Sequence, residues 1–285
     1  MSLQPIANFD FSCRSALRVG GKCEAYFPES NDELICLIDR FYKDRTPFKI
    51  VGRASNLLAK DGLLKTKVIF TDHLNAVSPI DNGVCLGAGT RFSRIIFRMA
   101  KEGKSLLPEL IGVPGSVGGM VCQNASCYHR EISDCFRSAR VYDPEQKCVL
   151  RLSRDEMKFS YRDSILKKRD YILLDAEFSF LNNGSDPISI IREVTKKRRA
   201  RAPEGPSLGS VFLRHENRSV GELLDHLGQK GRRFGGISVS CRHCGVLINK
   251  NNATCEDYLY AVNLLSQLVF SQYGFMPKTE IELLE

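Results

Sequence analysis

Gly112-Val113-Pro114-Gly115-Ser116-Val117-Gly118-Gly119 sets four glycines around one proline in a run of eight residues. Glycine accepts positive φ and lets another group approach the backbone with no Cβ in the way, whereas Pro114 stiffens the turn and removes one amide donor. The remaining amides and the Ser116 hydroxyl can then converge on an anion, and phosphate suits such a loop. Taken alone, the same stretch is equally a tight connection between packed elements. The rest of the chain has to decide between them.

The chain has 285 residues, with 41 Lys and Arg against 33 Asp and Glu, a net charge of +8. That length allows two domains with a real core. The 11 cysteines are odd in number and scattered, often inside apolar runs such as Val84-Cys85-Leu86, as reduced buried thiols are. Met1-Ser2-Leu3-Gln4-Pro5 has no charged region leading into an apolar stretch, and no apolar run approaches the roughly 20 residues of a membrane span. A soluble cytoplasmic protein is expected. The positive excess suits nucleic acid, an anionic surface or a phosphorylated small molecule. Much of it lies in Lys196-Lys197-Arg198-Arg199-Ala200-Arg201 and Lys167-Lys168-Arg169, with no aromatic series between them, which weighs against single-strand binding. Cys241-Arg242-His243-Cys244 has the spacing of half a zinc site without a second pair, so no metal is expected.

Ser30 with Glu33 forms a capping box ahead of Leu34, Ile35, Leu37, Ile38 and Phe41, predicting a helix over 31–43. Short strands are predicted at 48–51, 67–71 and 84–86, and a helix from Phe92 to Lys101 ended by Gly103. Further strands fit 137–142, 148–152 and 171–180, before the turn-rich Asn182-Asn183-Gly184-Ser185-Asp186-Pro187, where a domain boundary is placed. Asp186 and Pro187 then open a helix that runs into the basic cluster and stops before Pro203. Ser219 with Glu222 opens a short helix; strands follow at 235–239 and 246–248, a longer helix at 254–270 and a last strand at 280–284. The class is α+β, with no internal repeat.

A second glycine-bearing turn, Val51-Gly52-Arg53-Ala54-Ser55-Asn56-Leu57-Leu58, follows a predicted strand and offers amides, a hydroxyl and a carboxamide. It could grip the other side of a diphosphate, although such turns are commonplace. Gly87-Ala88-Gly89 looks like the start of a dinucleotide fingerprint, but Phe92 stands where a third glycine is wanted. Taken with Ser15-Ala16-Leu17-Arg18-Val19-Gly20-Gly21 and Asn124, the two loops resemble the FAD-binding half of the UDP-N-acetylenolpyruvoylglucosamine reductase (MurB) family, in its compact form. The likeness continues in order through Phe159-Ser160-Tyr161-Arg162-Asp163-Ser164, Ser207-Leu208-Gly209-Ser210-Val211-Phe212, Ser240-Cys241-Arg242-His243 to Ile248-Asn249, and Lys278-Thr279-Glu280-Ile281.

The resemblance implies a two-part FAD-binding domain of the PCMH/vanillyl-alcohol-oxidase type over 1–184, divided near 72, and a C-terminal α+β substrate-binding domain over 185–285. It implies an NADPH-dependent flavoenzyme of peptidoglycan precursor synthesis that reduces UDP-N-acetylglucosamine enolpyruvate to UDP-N-acetylmuramate, with hydride from FAD N5 and a proton from Ser210. Gly52, Arg53, Ala54, Ser55, Asn56 and Leu57, with Gly112, Pro114, Gly115, Ser116, Gly118, Gly119 and Asn124, would hold FAD. Arg162 would stabilise charge growing on the substrate carboxylate, with Glu280 as a protonated donor or an orienting group. Tyr161, Arg198, Arg201, Arg214 and Asn249 would bind the UDP-linked enolpyruvyl amino sugar, and His243 would be a structural hydrogen-bonder. The chain departs from the family pattern at Arg53 and Ala54, where small or glycine residues are usual, and at Leu213 and His215, where a basic residue and Pro are usual. A monomer is expected, with neither nucleic acid nor membrane as partner. Two rivals stay open: another FAD oxidoreductase on the same scaffold, indifferent to Ser210 and Glu280, and a basic nucleic-acid-binding protein, colourless and steeply salt-dependent.

Overall fold

Two compact units share the chain in alternation: the first comprises Ala25–Arg53 and Lys67–Arg198 with the N-terminal residues up to Pro5, and the second comprises Ile6–Glu24, Ala54–Thr66 and Arg199–Glu285. The structure, a computed structural model, describes residues 3–182, 184 and 186–285. Asn183 and Ser185 of the turn expected at 182–187, and Met1 and Ser2 of the N-terminal stretch, lie outside the described residues.

In the first unit, Phe48–Val51 and Lys67–Phe70 pair in parallel, and Ala25 and Tyr26 extend the pairing opposite Val68 and Ile69. Helix α1 (Asn31–Lys43) packs on them because Leu34, Leu37, Ile38 and Phe41 recur on one face and are buried with Tyr26, Ile69 and Leu74. Its start is fixed by Ser30, which accepts from the Glu33 amide; the expected capping box is incomplete, because the Glu33 carboxylate accepts from the Glu29 amide, one residue before the cap, and not from Ser30. A five-stranded antiparallel sheet follows in the order Cys148–Ser153, Phe136–Asp143, Ile172–Ser179, Gly83–Gly87, Val77–Ile80. Helix α2 (Phe92–Lys101) and the short α3 (Val117–Cys122) close its core through Phe92, Ile96, Val117 and Val121, all nearly inaccessible. Helix α4 (Pro187–Arg201) starts on Asp186, whose carboxylate accepts from the Ile188 and Ser189 amides.

In the second unit an antiparallel sheet runs in the order Ser207–Ser210, Val246–Asn249, Ile237–Val239, Arg233–Phe234. Helices α5 (Val220–His226) and α6 (Cys255–Tyr273) bury Val220, Leu224, Tyr258, Ala261, Leu265 and Val269 in one core with Leu17, Leu58 and Leu247. The single strand expected over 235–239 is instead a hairpin. Gly235 sits at φ +56°, and a Cβ on Gly236 would stand 2.5 Å from Ala253 Cα, so the backbone turns there. The last strand is shorter than expected, Glu282–Leu284, and pairs in parallel with Leu57–Ala59. Among the described residues no helix is long and apolar enough to cross a membrane, and no group of three His, Cys, Asp or Glu is arranged to hold a metal.

Candidate functional site

In the first unit the two glycine loops meet. Gly52 ends the strand Phe48–Val51, and a Cβ added to it would stand 2.0 Å from Ser116 Oγ. Only glycine permits that approach. Ser116 is 1% exposed and caps α3, its hydroxyl accepting from the Gly119 amide at 3.5 Å. The amides of Val117 and Gly118 bond the Thr90 and Ala88 carbonyls at 2.9 and 2.8 Å, so these two are spent on the protein and do not converge on an anion as the sequence led us to expect. A Cβ on Gly115 would strike the Met120 side chain at 2.8 Å, and one on Gly118 would press on the Ala88 carbonyl oxygen at 3.3 Å. Gly112, at φ +74°, faces Arg198 instead. Pro114 lies between, in the connection from Leu110 to α3. Arg53 turns toward Asp72, with Nη1 3.7 Å from its carboxylate.

Asn124, expected against the flavin, is 1% exposed and is occupied at both ends of its carboxamide. It donates to the Ser160 carbonyl at 3.1 Å and accepts from the Ser133 amide at 3.1 Å. Through Ser160 it reaches the segment that carries Tyr161 and Arg162. Arg162 Nη1 donates to Ser126 Oγ at 2.8 Å, and its guanidinium carbon lies 5.6 Å from the centre of the half-exposed Tyr161 ring. Beside it, Lys168 bonds the Asp163 carboxylate and holds its pKa below the ordinary value, against the opposing effect of burial. Arg198 donates from Nη2 to the Gly112 carbonyl at 2.8 Å and from Nη1 to Cys127 Sγ at 3.4 Å. In this unit Arg198 therefore braces the glycine loop. Ser126 was not singled out from sequence, and its place two residues beyond Asn124 was the signal available.

In the second unit Ser210 ends the strand Ser207–Ser210, with its side chain exposed. A register shift separates the pairs Ser207 with Ile248 and Ser210 with Val246, and Gly209 in the shift takes φ +79°. The Val211 carbonyl, next along, accepts from the Glu280 amide at 2.8 Å, so Ser210 and Glu280 are brought to adjacent backbone segments. Asn56 fixes Glu280 from its other side: its Nδ2 donates to the Glu280 carbonyl at 3.0 Å, and its own carbonyl accepts from the Glu282 amide at 3.1 Å. Of its neighbours, Ala54 takes φ +46°, Ser55 is half-buried and Leu57 is buried at the start of its strand. Asn249 is spent within this unit, donating to the Leu17 carbonyl at 3.1 Å and accepting from the Ala253 amide at 3.1 Å. His243 Nδ1 accepts from the Gly245 amide at 3.0 Å, the structural part foreseen for it. Arg201 and Arg214 are exposed, and Arg214 Nη1 lies 3.4 Å from the Asn217 carbonyl. His215, where the family has Pro, stacks on Phe275 with ring centres 3.8 Å apart.

Two family models match the chain, an FAD binding domain over residues 25–150 and the C-terminal domain of UDP-N-acetylenolpyruvoylglucosamine reductase over residues 200–284. A UDP-N-acetylenolpyruvoylglucosamine reductase of Lachnoclostridium phytofermentans is 32% identical over 97% of this chain and 92% of its own length. The chain belongs to the UDP-N-acetylenolpyruvoylglucosamine reductase family. One of Lactobacillus helveticus is likewise 32% identical, over 98% of this chain and 93% of its own. The crystal structure of the MurB reductase from Thermus caldophilus superposes with a TM-score of 0.84 at 25% identity, covering 99% of this chain and all of that one, so the α+β reductase fold extends over the whole length. The FAD model spans Gly52, the 112–119 loop and Asn124, and the reductase model spans Arg201, Ser210, Arg214, Asn249 and Glu280. Arg162 and Arg198 fall in the stretch between the two models.

Proposed function

We propose that this chain reduces the enolpyruvyl ether of UDP-linked N-acetylglucosamine to the lactyl ether, UDP-N-acetylmuramate, with FAD as resident cofactor and NADPH as the reductant. Family membership over both matched regions supports the reading. In it, residues 1–184 serve the cofactor and residues 185–285 the substrate, in a cytoplasmic monomer that binds neither nucleic acid nor membrane. One observation of the structure bears on the cofactor assignment: the lack of a side chain on Gly52 lets the two glycine loops meet, with the Ser116 hydroxyl where a Cβ would stand. Gly52–Ala54 and Gly112–Ser116 would hold FAD. When bound, FAD supplies the hydride.

The chain's own residues then have two tasks. Negative charge grows on the substrate carboxylate as the neighbouring carbon takes on carbanion character, and Arg162, always charged and able to bind a carboxylate through two N–H groups, meets it. The carbanion needs a proton, and the exposed Ser210 hydroxyl supplies it. A hydroxyl is a weak acid, but a carbanion is basic enough to take its proton. Glu280, on the segment bonded to Val211, acts as a protonated donor or as a group orienting Arg162 or water. Arg201 and Arg214, both exposed, would bind the diphosphate of the UDP moiety.

The test is a visible spectrum of the purified protein. Flavin bands that bleach with NADPH and return on adding the UDP-linked enol ether are expected. Bands that bleach and do not return would leave a flavin reductase of other specificity, and a colourless protein that takes up no FAD would end the proposal.

A further inference from the structure

Arg162 occupies a position that the backbone does not favour. Ser160 and Asp163 exchange both of their backbone hydrogen bonds at 3.1 Å, which leaves Tyr161 and Arg162 as the two-residue loop of a tight hairpin. Arg162 takes φ +56° there, a left-handed conformation that non-glycine residues rarely adopt. Such a conformation persists where the surroundings over-determine it. Here the surroundings include residues 123–126 and Lys167. Asn124, buried and itself at φ +39°, holds the Ser160 carbonyl at the base of the hairpin. Lys167 Nζ donates to the Arg162 carbonyl at 2.6 Å and to Gln123 Oε1 at 2.7 Å. Backbone and base are thus fixed.

Ser126 then holds the guanidinium. Its hydroxyl oxygen accepts from Arg162 Nη1 at 2.8 Å, and the Tyr161 ring flanks the guanidinium with 5.6 Å between ring centre and Cζ. An arginine reads a carboxylate as a planar fork, so its value depends on the plane being set before the ligand arrives. We propose that Ser126 is a positioning residue for the reaction: by taking one end of the guanidinium it orients the rest of the fork toward the substrate carboxylate. The proposal rests on the reading of Arg162 as the carboxylate-binding group.

The experiment uses the full-length, FAD-loaded protein and follows the two half-reactions separately by flavin absorbance. Ser126→Ala is expected to keep its flavin and its rate of reduction by NADPH. Reoxidation by the UDP-linked enol ether slows about tenfold, the loss of one hydrogen bond to a charged group. Ser126→Thr, which restores the hydroxyl, returns that rate to within about twofold of the parent. Adding Ser126→Ala to Arg162→Ala should cost nothing further, because the serine acts only through the arginine. Ser126→Ala reoxidised at the parent rate while Arg162→Ala is slow overturns the proposal and leaves the role of Arg162 standing. Arg162→Ala at the parent rate overturns that role and the proposal with it. A Ser126→Ala protein impaired equally in flavin content and in both half-reactions assigns Ser126 to general folding and also overturns the proposal.

Discussion

A Cβ on Gly52 would stand 2.0 Å from the hydroxyl oxygen of Ser116, a residue 1% exposed and fixed as the cap of α3. The serine cannot step aside cheaply, because its carbonyl also accepts from Met120 in the first turn of that helix. Gly52→Ala must therefore push the two loops apart, an overpacking change of about 1–3 kcal/mol. The expected result is a protein that folds but retains about tenfold less FAD, read from the visible-to-ultraviolet absorbance ratio after purification. Gly52→Ala combined with Ser116→Gly should recover part of the flavin, since the colliding atom is gone. Undiminished flavin in the single variant would show that the two loops do not share the cofactor.

Ser210→Ala separates the two halves of the cycle. The hydroxyl is exposed at the end of its strand and Gly209 carries the local irregularity, so removing one oxygen leaves the fold intact. NADPH should still bleach the flavin at the parent rate. Reoxidation by the UDP-linked enol ether should fall by about 10² or more, the usual weight of one positioned proton donor. Parent-like reoxidation in this variant would remove Ser210 from the chemistry.

Asn249 and Arg198 trace how far the sequence could be read. Both match family blocks and both were expected on the substrate, yet the Asn249 carboxamide bridges the Leu17 carbonyl and the Ala253 amide, and the Arg198 guanidinium holds the Gly112 carbonyl and Cys127. A carboxamide or guanidinium offers the same donors to a ligand and to a backbone carbonyl, and residue type alone does not say which one it meets. Helices α1, α2 and α6 were legible because an apolar stripe and a cap coincide in each of α1 and α6, and a stripe and a terminal glycine in α2. Helix α3 was not, because Val117-Gly118-Gly119 has poor helix propensity and the helix depends on the Ser116 cap and on burial of Val117, Met120 and Val121 in the core. The strands Ile6–Asp10 and Leu57–Ala59 also went unread: the first is mostly exposed and lacks alternation, and the second has three residues, all buried.

Asn249→Ala tests the reassignment directly. Both ends of the carboxamide are bonded, so the variant leaves the Leu17 carbonyl and the Ala253 amide without their partner, about 1–3 kcal/mol of stability. A lower thermal midpoint is expected, with the KM for the UDP-linked substrate within about twofold of the parent in the folded fraction. A large rise in KM with unchanged stability would return Asn249 to the substrate.

Asp257 supplies the pH dependence. Its carboxylate accepts from the Thr254 amide and the Gly236 amide, each at 3.1 Å, and these backbone bonds hold its pKa below the ordinary value against the effect of burial. A carboxyl lowered in the folded state binds its proton more readily in the unfolded chain. The stability it contributes is therefore present in full above the unfolded value of about 3.9 and is lost as pH falls through the lower folded value. Asp257→Ala should cost about 1 kcal/mol in urea unfolding at neutral pH, where the α6 cap and the hairpin turn at Gly235 and Gly236 both lose their acceptor. The gap between parent and variant should narrow as the pH is taken below about 4, because protonation removes from the parent the charge that the substitution has already removed. A gap that stays constant down to acid unfolding would mean that the carboxylate's charge contributes nothing and that the loss comes from the side chain's packing.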